Sequence, residues 1–222
     1  MIKAIALLTP IYVTFFWSFI FLIQKGERNH PKTHLGFFMV LAFFLYCTHA
    51  IFFSELYTLY SYFESVYLFT MLSIYPMYYI YILLRTSENA GVKPQFKHFL
   101  PALIFSTLSL VSTFFLSPEQ RIFYVQDILI EKNLKGINLS SIAGIKGHIF
   151  FAARLIFLIQ VVYYAFHGIK RVKKHNQFVA DYYSNIEGKT LNWIRDLNIV
   201  ILFVAVVSIC FVFIGRSYFT RH

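Results

Sequence analysis

Six blocks of this chain approach the ~20 predominantly apolar residues that an α-helix needs to cross a bilayer. They cover about 5–23, 35–53, 63–84, 99–116, 149–166 and 197–214. Within hydrocarbon every backbone N–H and C=O must be satisfied inside the spanning segment, so runs of this length are expected to form helices. Composition agrees: 58% of the residues are hydrophobic and only 14% are charged, a balance that excludes an ordinary soluble globular domain. The expected fold is therefore all-α, a single polytopic transmembrane bundle over residues 1–222 with six spans. Lys3 ahead of the first block imitates the charged start of a signal peptide. The block is long, however, and only Gln24-Lys25-Gly26-Glu27-Arg28 follows it, with no small-residue cleavage site, so it reads as a retained span. Pro10 either kinks the first turns of that span or marks its start. Pro76 is expected to bend the third span, and Pro101 sits harmlessly in the first turn of the fourth.

The formal charge of +10 has to be read by its distribution before it suggests any partner. Segments 24–34, 85–98 and 167–196 together hold twelve Lys and Arg; the opposite side holds seven, and Arg154 lies inside a span. The richer side is expected to be cytoplasmic, which puts the N-terminus and the 117–148 loop outside and the 167–196 segment inside. The Ile-Lys-Arg-Val-Lys-Lys run at 169–174 contributes most, as an anchor beside anionic lipid. Cys47 and Cys210 both sit in apolar blocks, so no disulfide is expected. An even number of spans leaves the C-terminus outside on an eight-residue tail. Either one span is miscounted or the chain stops before its natural finish.

Two polar stretches interrupt the pattern with recognisable local chemistry. In Ser117-Pro118-Glu119-Gln120 a capping-box form with proline at the first helical position predicts a short helix at the start of the outer loop. Ile122, Phe123, Val125, Ile128, Leu129 and Ile130 then make that loop apolar enough to lie on the membrane or cover the mouth of the bundle, before a Lys135-Gly136 turn. At about 30 residues it exceeds a mere connector and is the best candidate for an external sensing element. The second stretch is DYYSNIEGKTLNWIRDL, Asp181–Leu197, a polar elbow between the last two spans. Ser184 and Glu187 have the spacing of a capping box, so a helix is expected to restart there, flanked by Tyr182, Tyr183 and Trp193 as at a membrane surface.

The run Tyr183-Ser184-Asn185-Ile186-Glu187-Gly188-Lys189-Thr190-Leu191-Asn192-Trp193-Ile194 resembles a recurrent segment of Bacteroidota membrane-anchored regulators of AraC type. Upstream, His98-Phe99-Leu100-Pro101 opening a span and Ser117-Pro118-Glu119-Gln120 closing it match the layout of that family, so the likeness covers the span order of the whole chain while only the elbow is specific in sequence. The resemblance implies a bacterial inner-membrane sensor of seven spans, followed in the family by a helix-turn-helix DNA-binding domain. Neither the seventh span nor that domain is in these residues, so direct nucleic-acid binding is not implied. What it implies is the sensor module of a one-component transcriptional regulator, responding to a small-molecule or envelope signal, with a homodimer among its assemblies. Within it Tyr183, Ser184, Asn185, Glu187, Gly188, Lys189 and Trp193 would form a capped, signal-passing elbow; the competing reading of the same residues is a well-made inter-helix turn.

Titratable groups inside spans are costly and default to paired or functional roles. His49, Glu64 and Arg154 all fall near the outer ends of their spans, so an Arg154–Glu64 pair with His49 beside it is expected, either as the floor of an outward pocket or as a lock between three helices. Arg154 can alternatively snorkel to the headgroups. Tyr67, Tyr75 and Tyr78 fall near one face of the third span and are candidate pocket aromatics, with helix packing as the competing role. Gln160 is expected to make an inter-helix hydrogen bond. No zinc-protease, nucleophile-elbow, phosphate-loop or Cys-x-x-Cys signature is present. His30 and His34 share a helical face but flank a proline, a weak basis for a metal site. Neither enzyme activity nor a cofactor is expected. The competing function is a stand-alone membrane protein acting as a transporter or assembly factor; inverted repeats, which transport would favour, are not evident.

Overall fold

A computed structural model describes residues 2–23, 30–86, 95–131, 140–184 and 186–214, with side chains for all of these except 2, 30 and 204–214. The chain is all-helical: α1 is Ile2–Ile23, α2 His30–Phe53, α3 Tyr57–Thr86, α4 Leu100–Phe114, α5 Pro118–Phe123, α6 Ile142–Tyr182 and α7 Asn192–Ile214. A 3-10 turn, Phe96–Phe99, leads into α4, and a π-helical segment, Tyr124–Ile130, continues α5. Among the described residues, five helices are long and apolar enough to cross a membrane: α1, α2, α3, the 96–114 segment and α6. The large apolar side chains Leu8, Phe15 and Phe19 of α1 and Val162 and Phe166 of α6 face outward, as lipid contact requires.

Helix ends depart from the apolar blocks because a helix does not stop where hydrophobicity does. Helix α3 begins at Tyr57, ahead of the apolar block at 63–84, and the α2–α3 connection is only Ser54-Glu55-Leu56 with Glu55 at φ 64°. Helix α6 is an unbroken 41 residues and absorbs both 142–148 from the expected loop and 167–182 from the expected basic segment at 167–196. Its N-terminus is capped by Ser141, whose Oγ accepts from Gly144 N at 3.0 Å. The predicted cap at Ser117 is formed in full: its Oγ accepts from Gln120 N at 3.3 Å, and Gln120 Oε1 accepts from Ser117 N at 3.0 Å. The turn expected at Lys135-Gly136 lies outside the described residues.

Helix α3 is the central post, packed against α2, α4 and α6, with α7 on α6 and α1 reaching the bundle through α2. Lipid tails are as apolar as leucine, so what holds such helices together is close packing of small residues and inter-helix polar contacts. Helix α6 buries Ala143, Gly144, Gly147, Ala153, Ala165 and Gly168. On α2, a Cβ at Gly36 would lie 2.8 Å from Leu22 Cδ2, so that glycine sets the α1–α2 approach. The core divides into three clusters. Tyr67, Leu68, Met71, Leu72, Phe150 and Ala153 form the middle one; Tyr60, Leu116, Tyr124, Val125 and Ile128 form the one under the α5 segment; Tyr78, Ile82, Val172, Leu191 and Ile194 form the one at the elbow end.

Candidate functional site

The most unusual side chains lie at the end of the bundle covered by α5 and the π-helical segment. Glu64 of α3 and Lys146 of α6 are both fully buried, with Lys146 Nζ 2.8 Å from Glu64 Oε2. The approach to Oε2 falls outside hydrogen-bonding angles, so this contact is ionic. The hydrogen bonds of the ammonium go instead to α4: Thr113 Oγ1 at 2.5 Å, and Ser109 Oγ and carbonyl at 3.3 Å each. Tyr124, fully buried, donates its hydroxyl to Glu64 Oε1. Burial first, and the neighbouring Glu64 carboxylate second, hold that phenol well above its ordinary range and keep it a donor. The lysine also stands 5.1 Å from the centroid of the Tyr124 ring. One ammonium thus ties together α3, α4, α6 and the π-helical segment.

The short helix α5 is pinned onto this network by Arg121, which donates to Tyr62 Oη and to the Thr113 carbonyl, the latter at 3.1 Å, with its guanidinium 4.5 Å from the Tyr62 ring centroid. The π-helical register turns Tyr124, Val125 and Ile128 inward together, and π-helical turns recur at functional sites. Loss of the Tyr124 hydroxyl removes a hydrogen bond to a buried carboxylate. Tyr124→Phe is therefore expected to destabilise the bundle by about 1.5–3 kcal/mol in denaturant titration of the detergent-solubilised protein. A loss under about 0.5 kcal/mol would show that the hydroxyl does not anchor the segment.

The Arg154–Glu64 pair expected from the sequence is not formed. Glu64 takes Lys146, which reaches it from two helical turns earlier in α6. Arg154 instead lies 4.7 Å over the ring of Phe150, and no ion pair to it occurs among the described residues. The rings of Phe150 and Tyr67 stack at 6.2 Å, and His49 packs 5.4 Å from Tyr67. His49 and Arg154 thus flank one aromatic ladder without meeting Glu64 as a triad. The three tyrosines do not converge either. Tyr67 and Tyr78 belong to separate clusters, and Tyr75 meets Phe157 edge-on at 5.4 Å. Each packs against different neighbours. Gln160 is buried, and its Oε1 has no hydrogen-bond partner among the described residues. His34 Nε2 donates to the Met77 carbonyl at 2.8 Å, which occupies that nitrogen; the His30 side chain lies outside the described residues.

At the opposite end the elbow differs from its expected form. Helix α6 runs to Tyr182, residues 186–189 form a turn with Gly188 at φ 71°, and α7 starts only at Asn192. Ser184 and Glu187 precede the first residue of α7, so the helix does not restart at them; Asn185 lies outside the described residues. The start of α7 is held from a distance. Asn176 of α6 accepts from Leu191 N at 2.8 Å through its Oδ1 and donates to Asn192 Oδ1 at 2.9 Å through its Nδ2. Leu191 O then accepts the first helical bond, from Ile194 N, at 3.1 Å. Trp193 packs 6.5 Å from Tyr81 of α3, and Lys189 Nζ lies 3.8 Å over the Tyr183 ring. Comparison with known proteins finds no matching family, no similar curated protein and no similar solved structure.

Neither Lys146 nor Asn176 was singled out by the sequence. Lys146 was legible in principle, since Ala143, Lys146, Phe150 and Ala153 recur at helical spacing and all are buried. It stands three residues before the apolar block at 149–166, within the expected outer loop. Asn176 carries no such signal, because its partners come from another helix.

Proposed function

We propose that this chain is a membrane-embedded sensing and signal-transmitting module of the kind its elbow resembles, with six spans and the elbow on the cytoplasmic side. The observation that carries the reading is helix α6. It holds the buried Lys146 at one end and, thirty residues later in the same unbroken helix, the Asn176 clamp on α7. At 1.5 Å per residue those two points stand about 45 Å apart, further than the ~30 Å hydrocarbon thickness. A change perceived at the α5 cover alters the Glu64–Lys146–Tyr124 contacts, and α6 carries the displacement to the first turn of α7. The polar network supplies the differential interaction that any ligand-driven shift requires. The output to which α7 connects, DNA binding included, is not assigned to these residues.

Hydrogen exchange of the Leu191 amide tests this directly. Tyr124→Phe is expected to speed that exchange by about tenfold, although the two sites lie at opposite ends of the bundle. Gly36→Ala, which crowds the α1–α2 contact instead, should leave it unchanged. Equal effects from both variants would reduce the coupling to general loosening. Solute flux through proteoliposomes containing the purified chain would replace signalling by transport.

A further inference from the structure

At the elbow end, a cleft of about 340 Å³ lies between the last turns of α3 and α6 and the α6–α7 connection. Three cationic or ionisable side chains reach it from three separate elements: Arg85 from α3, His175 from α6 and Lys189 from the turn shaped by Gly188. Buried Val179 and Leu191 supply its apolar part, and the Tyr183 ring holds the Lys189 ammonium from beneath. Among the described residues no carboxylate lines the cleft, and Arg85, His175 and Lys189 form no ion pair. Like charges brought together in this way repel unless an anion sits between them. A guanidinium and an ammonium lining one space are donors of the kind that phosphate oxygens accept from. Arg85 directly follows the third apolar block, where a basic side chain at the end of a span favours an anionic headgroup.

We propose that this cleft binds a phosphate group, carried either by an anionic lipid headgroup or by a soluble phosphate ester. The site is independent of the signalling role, since its occupancy is read directly. Two arms separate the sources. In the first, the purified full chain is placed in phosphatidylcholine nanodiscs containing phosphatidylglycerol, and native mass spectrometry counts retained phosphatidylglycerol after release. In the second, inorganic phosphate is titrated onto the chain in lipid-free detergent and followed by phosphorus NMR line broadening.

The paired substitution Arg85→Gln with Lys189→Gln is expected to weaken binding by about tenfold or more in one arm. His175→Gln, in the same cleft, should weaken it in that same arm. Lys173→Gln with Lys174→Gln removes equal charge from exposed positions of α6 outside the cleft and should cost no more than about twofold. A cleft-dependent loss in the lipid arm identifies a headgroup site, and one in the phosphate arm a soluble ester. Equal losses from cleft and control variants would show diffuse attraction and overturn the proposal, as would absence of binding by the unsubstituted chain in both arms. All the substituted groups are outside the three core clusters, and matched thermal unfolding curves confirm that each variant is folded.

Discussion

Lys146→Met is expected to destabilise the bundle by about 3–5 kcal/mol, the largest effect of any single substitution considered for this chain. The substitution leaves Glu64, fully buried, without its ammonium, and leaves the Ser109 carbonyl and hydroxyl of α4 without their shared donor. Glu64→Gln alone is expected to be costly for the converse reason, a buried ammonium deprived of its carboxylate. The double variant should recover most of the loss. The amide introduced by Glu64→Gln still offers an oxygen to the Tyr124 hydroxyl, and the thioether introduced by Lys146→Met fills the lysine's path without a charge. Unfolding free energies of the four proteins in mixed micelles form a double-mutant cycle. A double-variant loss equal to the sum of the single losses would mean that the two groups do not interact.

The second large effect is expected at the junction of α3, α6 and α7. A Cβ at Gly168 would lie 2.9 Å from Ile82 Cδ1 and 3.4 Å from Asn198 Oδ1, and both neighbours are fully buried. Alanine there requires Ile82 to shift; leucine has no space unless α7 moves away from α6. Gly168→Leu is expected to cost about 1–3 kcal/mol or more by overpacking. It should also change the fluorescence of Trp193, which starts α7 beside Tyr81. In a Trp17→Phe background Trp193 is the sole tryptophan, so the signal reports the elbow alone. Val162→Leu, on the outward face of the same helix, should be neutral. Indistinguishable behaviour of the two variants would show that α7 does not depend on close approach at Gly168.

These two predictions involve groups of opposite character, and both depend on α6. Its buried face is built from small residues, which bring the backbone close to α3 and α4. That closeness makes room for one long polar side chain, Lys146, to reach Glu64 and Ser109 across the bundle. It also makes Gly168 intolerant of bulk. The network at one end and the Asn176 clamp at the other then move with a single helix.

Local sequence was sufficient for the class of this protein. Apolar blocks of about twenty residues with at most one charge each satisfy their backbone in a bilayer as helices, and local hydrogen-bond chemistry was enough to place the Ser117 cap on α5. Local sequence also marked Glu64 as a charge that needed a partner inside the bundle. Packing chose that partner, because Arg154 and Lys146 lie on the same helix and differ only in which neighbours surround them. Arg154 meets the Phe150 ring, whereas Lys146 meets the space between Glu64, Ser109 and Thr113. The elbow shows the same division. Ser184 and Glu187 have capping-box spacing, but spacing provides only the opportunity for a cap. Asn176, fifteen residues before Leu191 and on the preceding helix, satisfies the amide at the start of α7. A contact made between elements depends on how they pack, and no window of local sequence contains that information.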